Sequence, residues 1–136
     1  MAKSLKDFKN TILIADENIN RRNNTSSRLR MLGYETEMST GGFHIIHLLE
    51  MAQENGFRYR MLAIFEDMED MAGKEVLSLA RDIEDKENMP ILYLSKNKDA
   101  QEVLDTMQAG ANEYISDIGN FKTILDKIKK FAPLKK

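Results

Sequence analysis

Apolar and polar runs alternate along the chain with a regular beat. Thr11-Ile12-Leu13-Ile14-Ala15, Met61-Leu62-Ala63-Ile64-Phe65 and Pro90-Ile91-Leu92-Tyr93-Leu94 are short apolar runs. Such runs fit strands covered on both faces, where the usual alternation is lost. Tyr34, Thr36 and Met38 alternate with Glu35, Glu37 and Ser39, which marks a half-exposed strand. A short fifth strand is predicted over 112–115. Ile19 to Leu32 reads as a polar helix with Leu29 and Leu32 as core contacts, Thr25 and Ser26 sharing the buried face, and Gly33 as its stop. Gly41-Gly42 makes a turn before a helix from Phe43 to Ala52, with Ile46 and Leu49 on one face. Lys74 to Ile83 and Ala100 to Ala109 are two more helices. Phe121, Ile124, Leu125, Ile128 and Phe131 recur at the most regular helical spacing in the chain.

The pattern amounts to five strand–helix units, which implies a parallel sheet with helices on both faces. The connections are short and no linker divides the chain, so residues 1–136 are expected to form one domain with a core over about 10 to 132. Hydrophobic residues make up 42% of the chain, enough for a core at this length. The net charge of −2 gives no basic excess, so nucleic acid is not the expected ligand. There is no cysteine, which excludes disulfides, thiolate nucleophiles and cysteine-held zinc. No apolar run approaches the roughly 20 residues of a membrane span. A cytoplasmic protein is expected.

In sheets of this kind, function gathers at the carboxyl ends of the strands. Those ends carry Asp16 and Glu17, then Phe65 to Asp67, then Ser95 and Lys96, and lastly Ser116 and Asp117. Two adjacent acids after a buried strand suit a hard cation such as Mg²⁺. They also suit the start of a helix, where negative charge is favoured with no ligand at all. His44 and His47 stand three apart on the second helix, without a third ligand nearby, and read as ordinary histidines. Glu66, Asp67, Glu69 and Asp70 lack the spacing of a Ca²⁺ loop and read as a solvated acidic loop. Met68 and Met71 in that loop offer a pliable surface.

The ordered set of motifs resembles the receiver domain of two-component response regulators. Ile12-Leu13-Ile14-Ala15-Asp16-Glu17-Asn18 resembles the family's first strand and acidic pair. Leu32-Gly33-Tyr34-Glu35-Thr36 resembles its junction into the second strand. Met68, Met71 and Gly73, followed by Glu75-Val76-Leu77, resemble the loop and helix after the third. Met89-Pro90-Ile91-Leu92-Tyr93-Leu94-Ser95 and Ala109-Gly110-Ala111-Asn112-Glu113-Tyr114-Ile115 resemble the fourth and fifth strands with their approaches. The resemblance implies a flavodoxin-like (βα)5 fold, a doubly wound parallel sheet in the order 2-1-3-4-5. It implies that Asp16 and Glu17 match the metal-binding pair, Ser95 the switch hydroxyl and Tyr114 the switch aromatic.

Departures from the family pattern bear on function. The position of the phosphate-accepting aspartate, counted back from Met68 and Gly73, holds Phe65, which has no carboxylate to attack phosphorus. The position of the family's lysine after strand five holds Asp117. The expectation is a degenerate, non-enzymatic pseudo-receiver. It acts through a protein partner, or as a homodimer, on the face of the fourth helix, fifth strand and fifth helix, Ala100 to Phe131. Mg²⁺ binding by Asp16 and Glu17 is expected to be weak or absent. Two alternatives stand beside it. In one, Asp67 is phosphorylated instead, although it lies about 6–7 Å further along the strand direction. In the other, the scaffold binds a small molecule near Phe65.

Overall fold

The computed structural model describes residues 7–134. Ten elements follow in strict alternation: β1 (Asp7–Ala15), α1 (Ile19–Met31), β2 (Glu35–Ser39), α2 (Gly42–Glu54), β3 (Phe57–Phe65), α3 (Gly73–Ile83), β4 (Ile91–Leu94), α4 (Ala100–Gln108), β5 (Glu113–Ile115) and α5 (Phe121–Phe131). All pairings are parallel and the strand order is β2-β1-β3-β4-β5. The chain is thus the predicted flavodoxin-like (βα)5 sheet.

Side-chain alternation along the strands divides the core in two. Ile12 and Ile14 of β1, Met61, Ala63 and Phe65 of β3, and Leu92 and Leu94 of β4 meet Leu29 of α1 with Ile124 and Ile128 of α5. The intervening residues Leu13, Leu62, Ile64, Ile91 and Tyr93 meet Ile45 and Leu49 of α2 with Val76, Leu77 and Ala80 of α3. Phe65 therefore belongs to the layer under α1 and α5.

Several expectations are corrected. β1 and β3 each begin four residues before their apolar runs, at Asp7 and Phe57. Their pairing continues through Lys9 and Tyr59, with an irregularity between Lys9 and Ile12. Leu32 is 43% exposed, because α1 ends at Met31 and Leu32 already belongs to its cap, while Leu29 is fully buried. Thr25 and Ser26 do share the buried face. In α2 the inward residue is Ile45, and Ile46 packs only at the edge of the core. Gly41 and Gly42 are the cap and first residue of α2. Their small size answers a close approach: a Cβ on Gly41 would lie 2.7 Å from Asp70 Oδ2, and one on Gly42 would lie 2.7 Å from Met71 Cβ. Met68 and Met71 are buried core residues and offer no surface.

Candidate functional site

The carboxyl edge of the sheet brings Asp16, Phe65 and Ser95 together as the sequence predicts, and adds a residue the sequence reading passed over. Asp16 follows β1 and is fully buried. Arg21 sits in the first turn of α1, where a side chain leans back toward the helix N-terminus and over the end of β1. Its Nε donates to Asp16 Oδ2 at 2.6 Å and its Nη2 to Asp16 Oδ1 at 2.7 Å. This two-pronged geometry is the strong form of a guanidinium–carboxylate pair. Asp16 Oδ1 also accepts from the Asn18 backbone N–H at 2.9 Å, and Arg22 Nη1 donates to the Asp16 carbonyl. The bond to Asp16 holds the Arg21 pKa above its ordinary value against the opposing effect of burial.

Arg21 closes the site in two further directions. Its Nη2 also donates to Asp67 Oδ1 at 3.0 Å. Its guanidinium lies over the Phe65 ring, 4.4 Å from the ring centroid. Phe65 is the last residue of β3 and is 1% exposed. Buried aromatic face below and carboxylates at the rim together stabilise one orientation of the guanidinium. Asp67, the alternative nucleophile, does reach the site mouth, but its side chain is 68% exposed and ion-paired to Arg21.

The loop after β3 is tied down at three points. Beyond Asp67, the Glu69 backbone N–H donates to Glu17 Oε2. Asp70 accepts from the Gly42 and Phe43 backbone N–H groups at 3.0 and 3.1 Å, supplying the cap that Gly41 has no side chain to provide. Those amides hold the Asp70 pKa below the usual carboxylate range, the Gly42 bond having the largest effect. This acidic loop is solvated, with Asp67, Glu69 and Asp70 exposed, and it is also bonded to α1 and α2.

Ser95 follows β4 and is 2% exposed; its Oγ accepts from the Asn97 backbone N–H at 3.1 Å. Tyr114 of β5 is half-buried, stacks on Tyr93 at 5.8 Å, and donates its hydroxyl to the Asn97 carbonyl at 2.7 Å. Ser95 and Tyr114 thus converge on one loop residue. Asp117 lies on an exposed turn. A cavity of about 160 Å³ at this edge is lined by Leu94, Ser95, Lys96, Asn97, Glu66, Asp67 and Ile118. Ile118, next to Asp117, lines this cavity, and Asp117 itself does not. His44 and His47 are exposed, and His44 Nδ1 lies 2.8 Å from Ser39 Oγ.

The residues present do not fit a receiver's Mg²⁺. That ion needs about six oxygens at roughly 2.0–2.1 Å. Both Asp16 oxygens are committed to Arg21, Glu17 is turned to the Glu69 amide, and Phe65 supplies no oxygen. Among the described residues no three His, Asp or Glu side chains are grouped to hold a metal ion.

Comparison with known proteins agrees with the fold. The response regulator receiver domain family matches residues 12–129, and the chain belongs to that family. A CheY-like receiver domain protein from Methanospirillum hungatei is similar at 24% identity, with a TM-score of 0.73 and 93% of each chain covered. The chemotaxis protein CheY4 of Vibrio cholerae, also at 24% identity, superposes with a TM-score of 0.75 over 89% of this chain and 97% of its own. The response regulator TrrA of Thermotoga maritima, solved in complex with Mg²⁺ and beryllofluoride, has 23% identity and a TM-score of 0.71, over 90% of this chain and 99% of that one. A search of curated proteins found no match. Receiver domains interact with protein partners in two-component signalling. No helix among the described residues is long and apolar enough to cross a membrane.

Proposed function

We propose that this receiver is a phosphorylation-independent pseudo-receiver: a non-enzymatic, cytoplasmic module that signals by protein contact in a two-component or phosphorelay-type pathway. The observation that carries the reading is Phe65, buried at the end of β3 with the Arg21 guanidinium over its ring. Phosphoryl transfer to a side chain needs a nucleophile in line with a donor, and a phenyl ring offers none. The remaining acid at the mouth, Asp67, is paired with a cation that would have to leave before it could attack.

The partner is proposed to meet the α4–β5–α5 face. On it Leu104 is 50% exposed and Tyr114 half-buried. Ser95 and Tyr114, joined at Asn97, would convey which arrangement of that face a partner selects. The test is a titration with beryllofluoride and Mg²⁺ followed by amide spectra. The reading expects no shifts at Asp16, Phe65, Ser95 or Tyr114. Saturable shifts spreading from Asp16 to Tyr114 would overturn it.

A further inference from the structure

A fully buried carboxylate must be neutralised, because an unpaired charge out of water is costly. Asp16 is such a group, with no exposed surface. We infer that the Arg21 guanidinium is a built-in cation that takes the place of a divalent metal, so that the buried Asp16 carboxylate is neutralised and the site is ordered at every metal concentration.

Three features carry this. The guanidinium engages both oxygens of Asp16, the first of the acids a metal would use. The same group reaches across to Asp67 in the loop after β3, so one cation links the end of β1 to that loop. And it rests on Phe65, whose ring offers a face to a guanidinium but no oxygen to a metal. A metal can leave the site, whereas Arg21 is attached to α1. The position of the 66–72 loop, held also by Glu17 and Asp70, is then independent of metal binding. α1 itself fits the role: its first turn carries no acid to compete for Arg21, and the Asn18 side chain caps the turn from which Arg21 springs.

The inference shares Phe65 with the phosphorylation-independent reading, and its test is chosen to separate the two. Thermal unfolding is followed for the whole chain with EDTA, with millimolar MgCl₂, with MnCl₂, and with NaCl at matched ionic strength. The wild type is expected to melt at one temperature throughout. Arg21→Met keeps an apolar stem over Phe65 but removes the charge. It should melt lower by roughly 10 °C, the scale of an uncompensated buried charge in a domain of this size. Mg²⁺ or Mn²⁺, but not NaCl, should restore part of that loss by binding the freed carboxylates. Arg21→Lys keeps a cation and should remain insensitive to metal. If Arg21→Met is unfolded in EDTA, recovery of the folded state with Mg²⁺ gives the same readout.

A wild-type melting temperature that rises with Mg²⁺ would overturn the inference. So would an Arg21→Met variant that loses nothing, or whose loss no divalent ion restores. Intact mass after acetyl phosphate treatment, taken on the same samples, reads the other claim. A metal-sensitive wild type without phosphoryl gain sinks the built-in cation and leaves the pseudo-receiver standing. A phosphoryl gain in a metal-insensitive wild type does the reverse.

Discussion

The Arg21 guanidinium lies 4.4 Å from the centre of the Phe65 ring while both of its prongs hold Asp16. A phenyl ring in place of a carboxylate removes one negative charge from the pocket floor, and an arginine adds a positive one. The two changes suit each other. The cation neutralises the buried Asp16, and the ring offers the guanidinium a face without adding a charge.

The Asp16–Arg21 pair is expected to show strong energetic coupling. Arg21→Met should cost about 3–5 kcal/mol, because it strands the buried Asp16, and Asp16→Asn should cost less, because Arg21 keeps Asp67 and some contact with solvent. The double variant should cost clearly less than the sum, with a coupling of about 1–3 kcal/mol in a urea-denaturation cycle. Additive losses would mean the pair is not what holds this corner.

Asp70 should behave as a displaced helix cap. Its folded pKa is lowered by the Gly42 and Phe43 amides, so its contribution is present above the unfolded carboxylate pKa and is lost as pH falls through the folded one. Asp70→Ala should cost about 1 kcal/mol at neutral pH. The gap to wild type should close in acid, as read from urea midpoints across pH.

Glu66 should show the opposite sign. Burial raises its folded pKa first, and the nearby Glu102 and Asp67 charges add to this. An acid whose folded pKa is raised is more favourable to the fold below its unfolded pKa, and that advantage fades as pH climbs through the folded value. Glu66→Gln is expected to raise stability by about 0.5 kcal/mol at neutral pH. It should change nothing in acid. A loss at neutral pH would contradict this account of the loop.

Gly73 at the start of α3 leaves no room for a side chain. A Cβ there would meet the Tyr93 hydroxyl at 2.6 Å and the Glu66 Cα at 2.8 Å. Gly73→Ala should cost about 1–3 kcal/mol as overpacking, and it should perturb the Tyr93–Tyr114 stack in near-ultraviolet circular dichroism.

The sequence made the sheet legible because its central strands are apolar on both faces, as in Met61 to Phe65 and Ile91 to Leu94. Periodicity was less decisive at element ends. Lys9 and Arg58 hid the extra turns of pleat in β1 and β3, since paired strands can carry charged residues beyond the sheet's covered zone. Leu32 faces solvent because α1 ends just before it, and Ile45 lies deeper than Ile46 by one position in facing, which only packing resolves. The places of Asp16, Phe65 and Ser95 at the carboxyl edge were legible because strand ends fix where they lie. Arg21 was not, because a long charged side chain on a helix is normally solvated and its target is set by tertiary geometry. One signal was present: α1 carries Arg21, Arg22, Arg28 and Arg30 and no acid, right after an acidic pair. Asp70 escaped for a related reason, since its partners lie on α2, 27 and 28 residues away in sequence.

The measurement that bears most directly on the central claim is intact mass of the wild-type chain after incubation with acetyl phosphate and Mg²⁺. The account predicts an unchanged mass, for Phe65 cannot accept a phosphoryl group and Asp67 is held by Arg21. A stoichiometric gain of one phosphoryl group, mapped to Asp67 or to any other acid at this edge, would contradict it.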